Sequence, residues 1–180
     1  MNDAAKHSEG NILKGLVAGL IGGLVASWTM NRFQDVWVKL ADHQDGADQS
    51  SKPEPQQSNN EEQDDTTVRT ASAISEGLFD HKLTESEKKI GGTAVHYSLG
   101  TGVGGLYGAV AEVAPEITAG VGLPFGAAFW LVVDEGAVPL LGLSKGPTNY
   151  PLSTHAYALT SHFVYGLTAE LVRRAVRKAL

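Results

Sequence analysis

Apolar residues gather into long runs, far longer than strands, separated by short polar stretches. The first run goes from Ile12 to Met30, and its only charge, Lys14, sits near one end. Roughly 20 mainly apolar residues cross a bilayer, and a lysine at the end of such a run can snorkel to the interface. Phe33, Val36, Trp37 and Leu40 then recur at helical spacing, with Arg32, Gln34, Asp35 and Lys39 on the other side. This predicts a helical extension along the interface, anchored by Trp28 and Trp37. From Val68 to Leu83 the pattern is amphipathic, with Ile74, Leu78 and Phe79 as its expected buried contacts. Thr84-Glu85-Ser86-Glu87 matches a capping box, Lys88 and Lys89 follow, and a 22-residue apolar run extends from Ile90 to Ala111. The third segment, Ile117 to Leu143, is interrupted by Pro124, Asp134, Glu135, Gly136 and Pro139. The fourth starts after Pro151, with Ser153 or Thr154 as cap, and reaches about Val172. It carries Thr154, His155, Thr160, Ser161, His162, Thr168 and Glu170, so it should be the segment most enclosed by other helices.

The pattern predicts an all-α integral membrane helical bundle of about four segments. Residues 1–41 form a transmembrane helix with an interfacial extension, 42–66 an acidic linker, 67–89 an amphipathic soluble or interfacial region, and 90–180 a three-segment bundle with a basic tail. Four full spans put both termini on one side, and Arg173, Arg174, Arg177 and Lys178 argue that this side is cytoplasmic. Arg32, Lys39, Lys82, Lys88 and Lys89 would then flank the outer ends of the first two spans. A re-entrant third segment places both basic groups inside. The positive-inside rule favours re-entry, whereas segment length favours four spans.

Composition changes this picture in one place. The mean hydropathy of −0.10 and the 42% hydrophobic content would suit a soluble domain, but they average two unlike compositions. Between Asp42 and Thr66 stand eight acids and one base, Lys52, with two prolines and almost nothing apolar. Such a stretch cannot bury enough surface to offset its ordering entropy, so it is expected to be a disordered linker. It also accounts for the net charge of −6. The 21 glycines lie mostly inside apolar runs, where membrane helices tolerate them. With no cysteine, disulfides, thiolate metal sites and a Cys nucleophile are excluded. Nothing is basic enough to suggest nucleic acid. Lys6 and Lys14 ahead of Val25-Ala26-Ser27 sketch a signal peptide, but the run continues into Trp28-Thr29-Met30, so it is read as a retained span.

Several motifs, in order, resemble the YagU-like bacterial inner-membrane family of unknown function: Gly-Leu-Val-Ala-Gly-Leu-Ile-Gly-Gly-Leu-Val-Ala-Ser-Trp (15–28), Val-His-Tyr-Ser-Leu-Gly-Thr-Gly (95–102), Gly-Leu-Tyr-Gly-Ala-Val-Ala-Glu (105–112), Gly-Leu-Pro-Phe-Gly-Ala-Ala-Phe-Trp (122–130), Asp134-Glu135 and Tyr-Pro-Leu-Ser-Thr-His (150–155). The resemblance covers nearly the whole chain outside the acidic stretch. It implies a multi-pass protein of the bacterial inner membrane with a loose association with acid resistance. It supplies no catalytic residues.

Two kinds of residue carry the remaining signal. Gly15, Gly19, Gly23 and Ser27 recur every four residues, as do Gly92, His96, Gly100, Gly104, Gly108 and Glu112. Small side chains at that spacing let helix backbones approach closely, within one chain or between copies. A phosphate loop at Gly100 to Gly105 is disfavoured because those glycines follow no strand. The second kind is ionisable. Carboxylates such as Asp134 and Glu135 cost on the order of 2.5–3.5 kcal/mol each if they face lipid, so they must face the bundle interior, a watery cavity or a helix break. Trp130 is expected over Asp134, one turn away. His155 and His162 share a face two turns apart. Residues at i and i+7 lie about 10 Å apart on one side, so they cannot ligate opposite faces of a haem iron, and a helical zinc pair would prefer i, i+4. Glu112 reads as an interfacial carboxylate, and Glu170 as a partner of Arg173 or Arg174.

The favoured function is a small proton- or ion-responsive membrane protein. Asp134 and Glu135 would titrate with His96, His155 and His162 as partners or relays, since histidine near its unperturbed pKa of about 6.5 suits an acid-driven switch. The alternative is a structural or interaction protein, docking a copy of itself or another membrane protein through its glycine faces. No cofactor, resident metal or enzymatic activity is expected, and the surrounding partner is the lipid bilayer.

Overall fold

The computed structural model describes the backbone of residues 2–45 and 55–180, and side chains over 11–40 and 66–180. Residues 46–54, the middle of the stretch read as a linker, lie outside the described residues. The elements are α1 (Asn2–Asp45), α2 (Pro55–Phe79), α3 (Glu85–Ala111), a 3-10 stretch (Pro115–Gly122), α4 (Leu123–Val132), a π turn (Val133–Ala137), α5 (Val138–Leu140), a 3-10 turn (Pro147–Asn149) and α6 (Leu152–Ala179). No strand occurs among the described residues. Two helical regions, Asn11–Leu40 and Pro115–Leu140, are long and apolar enough to cross a membrane.

Helix starts and stops follow local chemistry. Thr84 caps α3 as its spacing predicts: its hydroxyl accepts from the Glu87 amide (3.4 Å), and Glu87 Oε2 accepts from the Thr84 amide (2.8 Å). The helices reach further into the acidic stretch than its composition suggests. α1 continues to Asp45, and α2 opens on Pro55, whose fixed φ suits the first helical position. The third segment differs from expectation in two ways. Ala119, Gly120 and Val121 are non-helical, so its main helix begins at Leu123, and Pro124 sits in the first turn. There a proline starts a helix rather than breaking it. Asp134 and Glu135 lie in the π turn, not in a clean break. α6 begins at Leu152 behind Pro151 and has no side-chain cap, so neither Ser153 nor Thr154 plays that part.

Packing rests on glycine. α1 runs antiparallel to α3, with Gly15 against Gly108 and Glu112, Gly19 against Gly104 and Gly108, and Gly23 against Gly100 and Gly104. A Cβ on Gly19 would stand less than 3.0 Å from the Gly104 carbonyl oxygen. The two glycine rows therefore close on each other within one chain. α4 and α6 make a second contact of the same kind, antiparallel, with Gly122 and Gly126 against Gly166 and His162. Between these interfaces lies a small core of Ala26, Met30, Tyr165 and Ala169, flanked by Phe125 and Phe129.

Several polar side chains are buried while many large apolar ones lie outside. Ser27, Ser161, His162 and Glu170 are buried, while Leu13, Leu24, Leu106, Leu131, Val132 and Leu171 are exposed. α2 departs from its amphipathic reading. Ile74, Leu78 and Phe79 point outward, and the small side presses Ala71 and Val68 onto Gly91 and Gly92 of α3. Close backbone approach selects the small face, and the large residues are left outside.

Both ends of the bundle are tied. At one, Lys14 Nζ donates to the Leu180 backbone oxygen (2.8 Å), and Arg177 holds Glu112 (2.7 and 3.0 Å) and Asn11 (3.3 Å). At the other, Asn31 donates to the Tyr97 hydroxyl (3.4 Å), and the rings of Trp37 and Tyr157 lie 6.0 Å apart.

Candidate functional site: a cavity with two histidine–carboxylate pairs

The antiparallel register of α4 on α6 brings the π turn beside the first half of α6. The wider π turn places Asp134 and Glu135 towards α6, and π turns recur at functional sites. The Val138 amide donates to Val133, and residue 139, a proline, has no amide proton, so the helical ladder offers the Asp134 carbonyl no backbone donor.

His155 Nδ1 lies 2.7 Å from Glu135 Oε1, and its Nε2 lies 3.0 Å from the Pro147 carbonyl oxygen. A carbonyl only accepts, so Nε2 carries a proton. The short contact at Nδ1 then needs one more proton, held by the imidazole or by the carboxyl. The pair is a one-proton unit of zero net charge in either form. His162 is arranged differently. Its Nδ1 donates to the Ala158 carbonyl (2.9 Å), one turn back, and its ring meets Phe129 edge-on at 5.2 Å. That leaves Nε2 facing Asp134 Oδ2 at 3.6 Å. The His162 side chain is 4% exposed and that of Asp134 36% exposed, so the acid opens into space while its partner is walled in.

That space is a cavity of about 390 Å³. His96, Asp134, Glu135, His155 and His162 all line it. His96, from α3, and Thr67, from α2, also line a second, more polar pocket of about 420 Å³, bordered by Arg32, Asp35 and Lys89. His96 thus stands where the two spaces meet. Among the described residues, no three His, Cys, Asp or Glu are grouped to hold a metal ion.

Trp130, expected over Asp134, lies edge-on to His155 (ring centroids 6.4 Å apart). Its indole nitrogen is buried with no acceptor among the described residues. Two features escaped the sequence reading. Tyr107 donates to Glu170 Oε2 (2.9 Å), joining α3 to the ion cluster that Arg173 completes through two contacts of 2.7 and 2.9 Å. Arg174 also binds Glu170, as the one-turn spacing suggests. The other is the Gly122, Gly126 and Gly166 contact, whose one legible signal is the four-residue step from Gly122 to Gly126.

Fold and site together define an all-helical protein with two helices long and apolar enough to cross a membrane and a half-open cavity lined by two histidine–carboxylate pairs. The chain belongs to the family described as "Protein of unknown function (DUF1440)", whose sequence model matches residues 56–171. All five histidine and carboxylate residues of the cavity fall inside the matched region, whereas α1 with its glycine row, and the arginines after α6's midpoint from Arg173 on, fall outside it. No curated protein and no solved structure matches the chain.

Proposed function

We propose that the chain is a small multi-pass protein of a bacterial inner membrane, whose cavity takes up and releases protons or ions as pH changes. The observation that carries this reading is the convergence of His96, Asp134, Glu135, His155 and His162 on one cavity. Ionisable groups inside a bundle are costly unless they serve each other or a pathway, and His96 links this cavity to the polar pocket beyond it. Acid resistance, implied by the resemblance to the YagU-like family, fits such a site.

The large apolar residues left outside, with Ser27, Ser161, His162 and Glu170 buried, support the membrane setting, because lipid leaves large apolar residues outside and helices join through small and polar ones. α3 and α6, of 27 and 28 residues, would each be about 40 Å long, enough for a core of about 30 Å. Four crossings are favoured over a re-entrant third segment. The stretch from Gly122 to Glu135 passes from beside Glu170 to beside His155 without doubling back, and Arg177 meets both Glu112 and Asn11 at one end. Since the glycine rows are spent inside the chain, the partner this reading needs is the bilayer; a second copy or another membrane protein would dock on other faces. No enzymatic role is proposed: His-Glu-x-x-His is absent from the sequence, and Gly142-Leu143-Ser144-Lys145-Gly146, which spells Gly-x-Ser-x-Gly, lies in the turn between α5 and α6 and not on a strand-to-helix elbow.

A second reading draws on the 2.7 Å contact between His155 and Glu135: the pairs pin the π turn to α6 and do nothing else. Proteoliposomes separate the two. The ion-handling role requires a pH-driven proton or cation flux that Asp134→Asn with Glu135→Gln lowers by about tenfold or more, with assembly intact; His155→Ala and His162→Ala should shift its pH dependence. No flux between about pH 4 and 8, with carboxylate variants that melt earlier in detergent, would establish the pinning role instead.

A further inference from the structure

Charge accounting around the cavity identifies what it lacks. Glu135 and His155 share one proton and cancel. His162 spends its Nδ1 proton on Ala158, so in its neutral form it turns a lone pair towards Asp134, and the 3.6 Å gap is longer than a hydrogen bond. Asp134, when ionised, then holds the one uncompensated charge of the two pairs. When His162 gains a second proton, that charge is cancelled. Besides Glu135 next to it, the titratable groups that line the cavity with Asp134 are few. α6 contributes His155, His162, Tyr157 and Tyr165, α3 contributes His96, and the loop before α6 contributes Tyr150. α1 and α2 line the cavity with uncharged residues, Ser27, Met30, Thr66, Thr67 and Thr70.

The rest of the wall is wrong for a small inorganic cation. Such an ion needs several oxygen ligands, and no three ligating side chains are grouped here among the described residues. The cavity wall carries instead Phe129, Trp130, Tyr150 and Tyr165, with Leu99 and Leu141. Aromatic faces attract organic cations, and about 390 Å³ falls within the range of small-molecule pockets.

We infer that this cavity binds a lipophilic organic monocation, an ammonium with an aromatic or alkyl body, seated on Asp134 in exchange for the proton of His162. The inference rests on the proton-responsive reading of the same site and adds its ligand. The exchange balances: one cation enters, one proton leaves His162 Nε2 for solvent, and the net charge of the cavity is unchanged.

Isothermal titration of the full chain in neutral detergent, with benzyltrimethylammonium as probe, tests this. Its uncharged carbon isostere, neopentylbenzene, has nearly the same shape and no charge. Expected is saturable binding of the cation alone, weakened roughly tenfold or more by Asp134→Asn, and weakened likewise on acidification, because protons then compete with the cation. Heats that vary with the ionisation enthalpy of the buffer should report the released proton. Equal binding of the isostere, equal affinity in a folded Asp134→Asn protein, or no cation binding by the folded wild type would overturn the inference. Should Asp134→Asn fail to fold, wild-type affinity that ignores pH would overturn it just as well. Proton flux in liposomes without cation binding would remove this inference and leave the proton-responsive reading standing. Cation binding without flux would keep the site and remove transport.

Discussion

At single residues, hydrogen-bond arithmetic decides what the ionisable groups can do. His155 faces two acceptors and so holds its proton jointly with Glu135, while His162 commits Nδ1 to the Ala158 carbonyl and turns Nε2 towards Asp134. Glu87 shows the same logic in an exposed place. The Thr84 amide and hydroxyl, and then the His81 ring, hold its carboxyl below the ordinary glutamate range. A carboxyl with a lowered folded pKa stabilises the fold above the unfolded value, and the contribution is lost as pH falls through the folded one. The first turn of α3 should therefore fray on acidification only below the usual glutamate range. Carbon-13 NMR of Glu87 checks this; a midpoint at or above that range would remove the capping account. The capping box and the pairing of Glu170 with Arg173 and Arg174 were legible in sequence because both are local, spanning three or four residues. Which histidine meets which acid was not, because that depends on the register of α4 against α6.

Between elements, glycine is the packing currency. Where two backbones touch, an added side chain has nowhere to go. Gly19→Leu should cost about 3 kcal/mol or more, the upper end of overpacking costs, because the neighbour in its way is the Gly104 backbone and not a yielding side chain. Gly102, in the same helix, has open space around its Cβ position. Gly102→Ala should be neutral or stabilising by up to about 1 kcal/mol. Thermal melts in detergent compare the two, and equal losses would mean that the α1–α3 contact is not the close one described. The row spacing foretold that close approach but not its partner, since small-residue rows look alike whether they meet within a chain or between chains. The same rule explains α2. Its large residues suggested a buried face, but Gly91 and Gly92 admit only Ala71 and Val68.

For the whole molecule, the arrangement of ends yields a topology that labelling can read directly, since the chain has no cysteine of its own. Glu116, Lys178, Lys82 and Lys145 are exposed. With four crossings, Glu116→Cys and Lys178→Cys should react with an impermeant maleimide from one side of the membrane, and Lys82→Cys and Lys145→Cys from the other. Labelling of Glu116→Cys and Lys145→Cys from the same side would restore the re-entrant third segment. The protein should also resist carbonate extraction; a monodisperse species in the soluble fraction without detergent would overturn the membrane reading.

The sequence by itself determined the helical class, the start of α3 at its capping box and of α6 after Pro151, and the set of ionisable residues that no apolar run would carry without cause. Those follow from short-range chemistry: hydropathy, hydrogen bonds within a turn, and the cost of a charge in lipid. Tertiary structure alone decided that the two glycine rows face each other, that a second glycine contact seats α4 on α6, and that the π turn sets Glu135 on His155 and Asp134 near His162. Rows of small residues fix no partner and no register. Those come from the best mutual fit of whole helices, and the cavity is the space that fit leaves open.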